Sequence, residues 1–323
     1  MAVYTKLSDR EVASFLQQYD LGPARDREPL SGGVTNSNWR IDFTGDPAAA
    51  VLTVIEPETG AAELDFVFGF QHHMAAHGIP LAAPIAQKSG AFYGQLAGKP
   101  AVLAGFLSGD WPREPNVAQA AAVGTLLGRM HLAASDFALR RTNPMGLPDM
   151  AAMVRALDPL TIETAVPNLA ADLAGAFRET LDHWPQGLPA GAVHADLFPD
   201  NVLFDGDRIS GAIDFYYACT APFAADFAMA HAAWCFSAGE SVFLADRSHA
   251  LLQAYEAVRP LSPTERDALP LLARAACLRI LATRLRDWIA PVEGASVTAK
   301  HPGEFAARLR FYSTDDGARA FAP

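Results

Sequence analysis

The stretch Val193–Phe204, VHADLFPDNVLF, sets His194, Asp196, Asp200 and Asn201 among apolar neighbours that would otherwise read as one buried strand. Burying a polar group without a partner costs a few kcal/mol, and a lone carboxylate costs more. Such residues are therefore expected to meet a ligand or one another. Asp196 and Asn201 stand five apart, and Asp214 lies 18 residues beyond Asp196 on the far arm of a turn. A carboxylate beside a hydroxyl can take its proton. A second carboxylate with an amide oxygen is the donor set that Mg²⁺ prefers. The chemistry so assembled is attack by an alcohol on a phosphoryl group, with cations neutralising the developing charge.

Composition narrows which proteins could carry such a site. At 323 residues the chain exceeds the usual single core, so two domains are expected, 1–107 and 108–323, hinged at GFLSGDWP. Hydrophobic residues make up 50% and charged residues 19%, which suits a well-packed soluble enzyme and argues against disorder. A net charge of −11 argues against a nucleic-acid partner, and phosphate binding would need local cations, backbone amides or a metal. Cys219, Cys235 and Cys277 are scattered and lack C-x-x-C spacing, which excludes a disulfide framework and a cysteine zinc site. The opening MAVYTKLSDREV lacks a secretion-signal pattern, and no apolar run reaches the roughly 18 residues of a membrane span. A cytoplasmic protein with no membrane attachment is the expectation.

The elements that must position these residues can be read from periodicity. SDREVASFLQQYDLG opens with a capping box, Ser8 and Glu11, and puts Val12, Phe15, Leu16 and Tyr19 on one helical face. NWRIDF alternates Trp39, Ile41 and Phe43 against polar neighbours, and AVLTVI is a short β-rich run. A helix over about 60–77 and two strands, AFYGQL and KPAVLAGFL, complete a sheet-rich lobe. Beyond Pro112 the chain reads as helical: a long helix capped by Asn116, then segments near 169–184, 223–236, 246–258 and 271–288. The one interruption is a hairpin in 193–214, with VLF, DGD and ISGAID as strand, turn and strand. The fold class is α+β, a sheet-rich small lobe and a mainly helical large lobe.

HADLFPDNVLF followed by GAIDFYYACTAPFAADFAMA resembles the catalytic core of the aminoglycoside phosphotransferase and choline kinase superfamily, with its protein-kinase-like fold and H-x-D-x-x-x-x-N motif. GGVTNSNW, VLTVIE, HADLFPDNVLFDG, IDFYYAC and AWCF are similar to the bacterial homoserine kinases of that fold, and the likeness extends to HPGEFAARL. The resemblance implies an enzyme using ATP and Mg²⁺ to phosphorylate the side-chain hydroxyl of L-homoserine, on the route to threonine. It implies Asp196 as the base, Asn201 and Asp214 as metal ligands, His194 as a brace of the loop, and Asp226 as a buried anchor. Ser31, Gly32, Gly33, Asn36, Ser37 and Asn38 would belong to the loop over the nucleotide, where glycines let amides approach phosphate oxygens. Gly105, Phe106 and Leu107 would face adenine.

The superfamily's third-strand lysine is missing, with Thr53 in its place, and Arg40, Lys88 and Lys99 are the basic candidates to replace it. That gap raises a nucleotide-binding pseudokinase as an alternative, beside a kinase of choline or an aminoglycoside. A metal hydrolase would want more clustered ligands. Asp205 and Asp207 flank Gly206 and read as turn chemistry, and Asp200 follows Pro199 in a turn. His131 reads as a packing histidine. For the acceptor, Arg284 and Asp287 are three apart on one helix and Arg279 points elsewhere; Tyr216 and Trp234 are further pocket candidates.

Overall fold

In SNWRIDF the side chains of Trp39, Ile41 and Phe43 are buried and Asn38, Arg40 and Asp42 between them are half-buried, as a period of two requires. This strand is the second of five in an antiparallel sheet: β1 (Ala24–Pro29), β2 (Ser37–Phe43), β3 (Ala49–Val54), β4 (Tyr93–Leu96) and β5 (Lys99–Gly105). Their spatial order is β1-β2-β3-β5-β4. The computed structural model describes residues 4–30, 36–290 and 299–322. The chain divides into two compact units, the first reaching Ser108 and the second beginning at Gly109.

In the first unit, α1 (Asp9–Leu16) starts at the expected Ser8–Glu11 capping box. It ends at Leu16, so Tyr19 joins the core from beyond the helix, its ring 5.4 Å from that of Phe15. Val12 and Phe15 pack on the sheet face formed by Trp39, Ile41, Leu52, Val54 and Leu103. Between β3 and β4 runs α2 (Ala61–Ala76), where Asp65 accepts from Tyr93 Oη at 3.1 Å and Glu63 caps its own helix through the Gly60 N–H.

The second unit carries α3 (Val117–Ala133), capped by Asn116 as expected, and then α4 (Leu147–Arg155), α5 (Pro159–Ala165) and α6 (Ala170–Asp182). The first two of these last three were not anticipated; each is short and has a proline in its first turn. After the functional loops come α7 (Phe223–Trp234), α8 (Ala245–Val258), α9 (Pro263–Ile289), α10 (Gly303–Tyr312) and α11 (Asp315–Arg319). The α9 helix begins well before the expected 271, because Ser262 and Glu265 form a capping box with Pro263 in the first turn, and Pro270 does not end it. Helices α3 and α8 meet closely at Gly124, where a Cβ would stand 2.2 Å from the Leu251 carbonyl oxygen.

Two small antiparallel pairs hold the functional loops. The expected hairpin is β7 (Val202–Asp205) with β8 (Arg208–Ala212). A second pair, β6 (Ala190–Val193) with β9 (Cys219–Pro222), clamps the entry to the first loop against the exit from the second. Among the described residues no helix is long and apolar enough to cross a membrane.

Candidate active site

β6 delivers the chain into His194–Asn201, and the first turn is tight: Ala195 has a φ of 62°. A non-glycine residue in the left-handed region is held there by its surroundings. Here the carboxylate of Asp226, on α7, accepts the N–H groups of His194 at 3.2 Å and Ala195 at 2.7 Å. His131 donates to the same carboxylate at 3.0 Å while its other nitrogen accepts from Tyr255 Oη at 2.8 Å. Burial opposes the charge on Asp226, but the hydrogen bond and proximity of His131, then His194 and the Ala195 amide, hold its carboxyl below the ordinary value. His131 is thus an orienting partner of the anchor as well as a packing residue.

His194 is fully buried. Its Nδ1 accepts from the Asp196 N–H at 3.2 Å and its Nε2 donates to the Ile213 carbonyl at 3.0 Å. Those partners fix the neutral tautomer, and burial pushes the imidazole pKa down against the pull of Asp226 and Asp196. The ring therefore ties the loop of Asp196 to the residue before Asp214. Trp234 is fully buried on α7 and donates from Nε1 to the Leu197 carbonyl at 2.8 Å. It supports the loop from the core and does not wall a pocket, contrary to expectation.

The carboxylate of Asp196 is gripped at both oxygens. Asn201 Nδ2 lies 3.2 Å from Oδ2 and also donates to the Asp196 carbonyl at 2.8 Å. Arg279 Nη2, reaching in from α9, lies 3.2 Å from Oδ1, and Nη1 binds the Ala195 carbonyl. Burial raises the Asp196 pKa; Arg279 and His194 oppose that shift. With its amide nitrogen spent on Asp196, Asn201 keeps its oxygen for a ligand.

Asp214 is the third member. It too is left-handed, with φ 61° and ψ 63°. The residue is exposed to solvent, yet the protein packed around its carboxyl desolvates that group and Asp196 and Asp200 repel it, so the carboxyl is pushed up to about 7. The Tyr216 N–H works in the opposite direction, and no cation pairs with this carboxylate among the described residues. Two crowded carboxylates and a spare amide oxygen form a hard-oxygen set with surplus negative charge, which fits a divalent ion such as Mg²⁺. Arg141 Nη1 binds the carbonyls of Tyr216 at 2.6 Å and Ala218 at 2.8 Å, securing the loop from outside.

The remaining expectations separate. Arg279, set aside on spacing, is the arginine at Asp196. Arg284 instead pairs with Glu304 at 2.7 Å, and Asp287 with its neighbour Arg286 at 2.8 Å. Asp200 pairs with Lys300 at 2.9 Å. In the first unit, Ser31, Gly32 and Gly33 lie outside the described residues. Ser37 is fully buried and its hydroxyl is bound to Glu56, while Asn36 Oδ1 accepts the Glu56 N–H, so both side chains brace the end of the loop. Thr53 donates to Asn38 Oδ1 at 2.7 Å across β3 and β2. Lys99 pairs with Glu56 and Lys88 with the Gln17 carbonyl. Arg40 shares the sheet face of Asn38 and Thr53 by register, with its guanidinium 4.5 Å from the Phe106 ring centre. Gly105 spends its N–H on the Ala83 carbonyl.

Comparison with known proteins identifies the family. The model of the phosphotransferase enzyme family matches residues 26–261. A spectinomycin phosphotransferase solved with ADP and spectinomycin has a TM-score of 0.68 at 13% identity, covering 98% of this chain and 99% of that one. An amicoumacin kinase solved with AMP-PNP, Ca²⁺ and Ami gives 0.65 at 15%, covering 94% and 93%. The fold is therefore the α+β, protein-kinase-like fold of the aminoglycoside phosphotransferases, and the chain is an enzyme of the phosphotransferase family. The homoserine kinase of Brucella anthropi is 42% identical over 97% of this chain and 94% of its own length. That of Nitrobacter hamburgensis is 43% identical over 99% and 97%. Within the phosphotransferases, the chain belongs to the homoserine kinases.

Proposed function

We propose that the protein transfers the γ-phosphoryl group of ATP to the side-chain hydroxyl of L-homoserine, giving O-phospho-L-homoserine and ADP. The observation that carries the reading is the two-sided grip on Asp196, by Asn201 and Arg279, in a chain 42% identical to a homoserine kinase. A carboxylate held at both oxygens is aimed before substrate arrives, which removes a reorientation cost from the reaction.

The hydroxyl of the acceptor lies against Asp196, which orients it and takes its proton as the oxygen attacks phosphorus. The bond from phosphorus to the ADP oxygen breaks as the new one forms. Asn201, through Oδ1, and Asp214 would hold Mg²⁺, which supplies positive charge against the phosphate oxygens. His194 and Asp226 keep the two loops in register. Phe106 and Leu107 carry the expected contact with adenine, since the Gly105 N–H is already committed. Arg40, on the sheet face of Thr53 and paired through Nε with Asp42 at 2.9 Å, is a candidate to offset phosphate charge in the absence of the third-strand lysine.

ADP release measured with single hydroxylated acceptors tests the assignment. Turnover with homoserine, exceeding that with choline or an aminoglycoside, is the expected result. Turnover confined to choline or an aminoglycoside would move the enzyme elsewhere within the family.

A further inference from the structure

Residues four and seven apart share a face of a helix, so α9 presents Arg279, Thr283 and Arg286 along one stripe. At the start of that stripe Arg279 grips Asp196 and places its guanidinium carbon 5.2 Å from the centre of the Tyr217 ring. Tyr217 is 36% exposed and stands three residues past Asp214. Burial, Asp196 and Asp214 push the Tyr217 hydroxyl pKa up, whereas Arg279 and Arg286 both pull it down, so charge from both arginines reaches this ring.

The two arginines are in different states. Arg279 is 8% exposed in its side chain and committed at both terminal nitrogens. Arg286 is 47% exposed and engaged only through Nε, to Asp287 at 2.8 Å; Nη1 and Nη2 have no partner among the described residues. An exposed pair of that kind holds its members weakly. Two other arginines of α9, Arg274 and Arg284, are paired with Glu179 and Glu304. Helical side chains tend to lean toward the N-terminus of their helix, so an Arg286 head released from Asp287 can extend back toward Tyr217 and so toward Asp196.

We propose that Arg286 determines specificity for the acceptor by binding its α-carboxylate. The hydroxyl lies at Asp196, Tyr217 walls the short carbon chain between them, and Arg279 positions the base. The inference rests on homoserine as the acceptor. An arginine fork matches a carboxylate in a way a single ammonium does not, and its charge repels the cationic acceptors used elsewhere on this fold.

The test compares homoserine with 3-amino-1-propanol, the same amino alcohol without the carboxylate, in the wild type, Arg286→Gln and Arg286→Lys. The ratio of kcat/KM for the two acceptors should fall roughly tenfold to a hundredfold in Arg286→Gln, through the KM for homoserine, with the KM for ATP unmoved. Arg286→Lys should restore part of it. Arg286 is half exposed, so the variants retain the fold. An unchanged ratio in Arg286→Gln overturns the subsite while leaving the proposed function standing. Failure of the wild type to use homoserine overturns that function and the subsite with it.

Discussion

Arg279, 83 residues beyond Asp196 in the chain, donates from Nη2 to Oδ1 of that carboxylate at 3.2 Å. The pair is largely buried, with side-chain exposures of 8% and 18%. Its Nε is buried without a hydrogen-bond partner among the described residues, so the guanidinium is fixed from its other end. Removing one member of a buried pair strands the other. Arg279→Met should lower stability by about 3–5 kcal/mol and cut kcat more than KM for ATP. Arg279→Lys keeps the charge but cannot fork between Asp196 and the Ala195 carbonyl, so it should recover stability better than turnover. Urea unfolding and steady-state kinetics read the two effects; a fully active Arg279→Met would remove any positioning role.

Asp196→Asn separates proton transfer from nucleotide binding. If Asp196 accepts the proton, this variant loses about a hundred- to ten-thousandfold in kcat while binding ATP with little change, measured by calorimetry. Equal phosphoryl transfer by both proteins would exclude Asp196 as the base.

The parts of this architecture legible in sequence were those specified locally. Trp39, Ile41 and Phe43 alternate because one sheet face is buried, and Ser8 with Glu11 or Asn116 with Gln119 start helices through short-range hydrogen bonds. Asp196, Asn201 and His194 lie within one loop, so their spacing alone indicated a shared task. Arg279 and Arg141 were not legible, because each reaches the site across tertiary structure and its helix spacing or loop position carries no mark of the partner. Trp234 was misread because an aromatic near a functional loop looks the same in sequence whether it faces a pocket or the core. Strands β6 and β9 have four residues each, too few for alternation to register.

Asp214 offers a contrast between stability and function. Desolvation, Asp196 and Asp200 push its carboxyl up to about 7. A carboxyl whose folded pKa is raised destabilises the fold where both states are ionised, and that penalty fades as pH falls from about 7 toward its unfolded value. Without divalent ion, Asp214→Asn should therefore be at least as stable as the wild type at pH 8, the difference narrowing below pH 7 and closing only near the unfolded carboxyl value of 3.8. The same variant should lose turnover, and Asn201→Ala should need at least roughly tenfold more Mg²⁺ for half-maximal rate. Full activity of the wild type in excess chelator would contradict the metal role of both residues.

Buried neutral histidines set the acid limit. His231 is enclosed by Tyr312 Oη at 2.6 Å and Ser248 Oγ at 2.8 Å, and burial lowers its pKa to about 3. His131 and His194 are shifted the same way by burial, against the pull of Asp226. In the unfolded chain each takes a proton near pH 6.5, whereas the folded state resists. The stability they confer is thus complete above that pH and drains as pH falls toward the folded values, by roughly 1 kcal/mol per pH unit for each histidine. The urea midpoint should be flat from pH 8 to 7 and fall steeply to pH 5. His231→Gln should show a shallower slope than the wild type over that range; equal slopes would mean His231 takes up its proton in the folded state.

Two glycines on helices should respond to alanine with opposite signs. At Gly124 on α3 the new Cβ would stand 2.2 Å from the Leu251 carbonyl oxygen and 3.1 Å from the Tyr255 nitrogen, both backbone atoms of α8. Neither can yield without separating the helices, and overpacking of this kind costs about 1–3 kcal/mol. That loss outweighs the gain of up to about 1 kcal/mol from replacing a helical glycine. At Gly175 on α6 nothing lies within 4 Å of the added carbon, so only the gain remains. Thermal unfolding should accordingly show Gly124→Ala melting below the wild type and Gly175→Ala above it. If Gly124→Ala melted higher, the close approach of α3 and α8 at Leu251 would have to be wider than the structure places it.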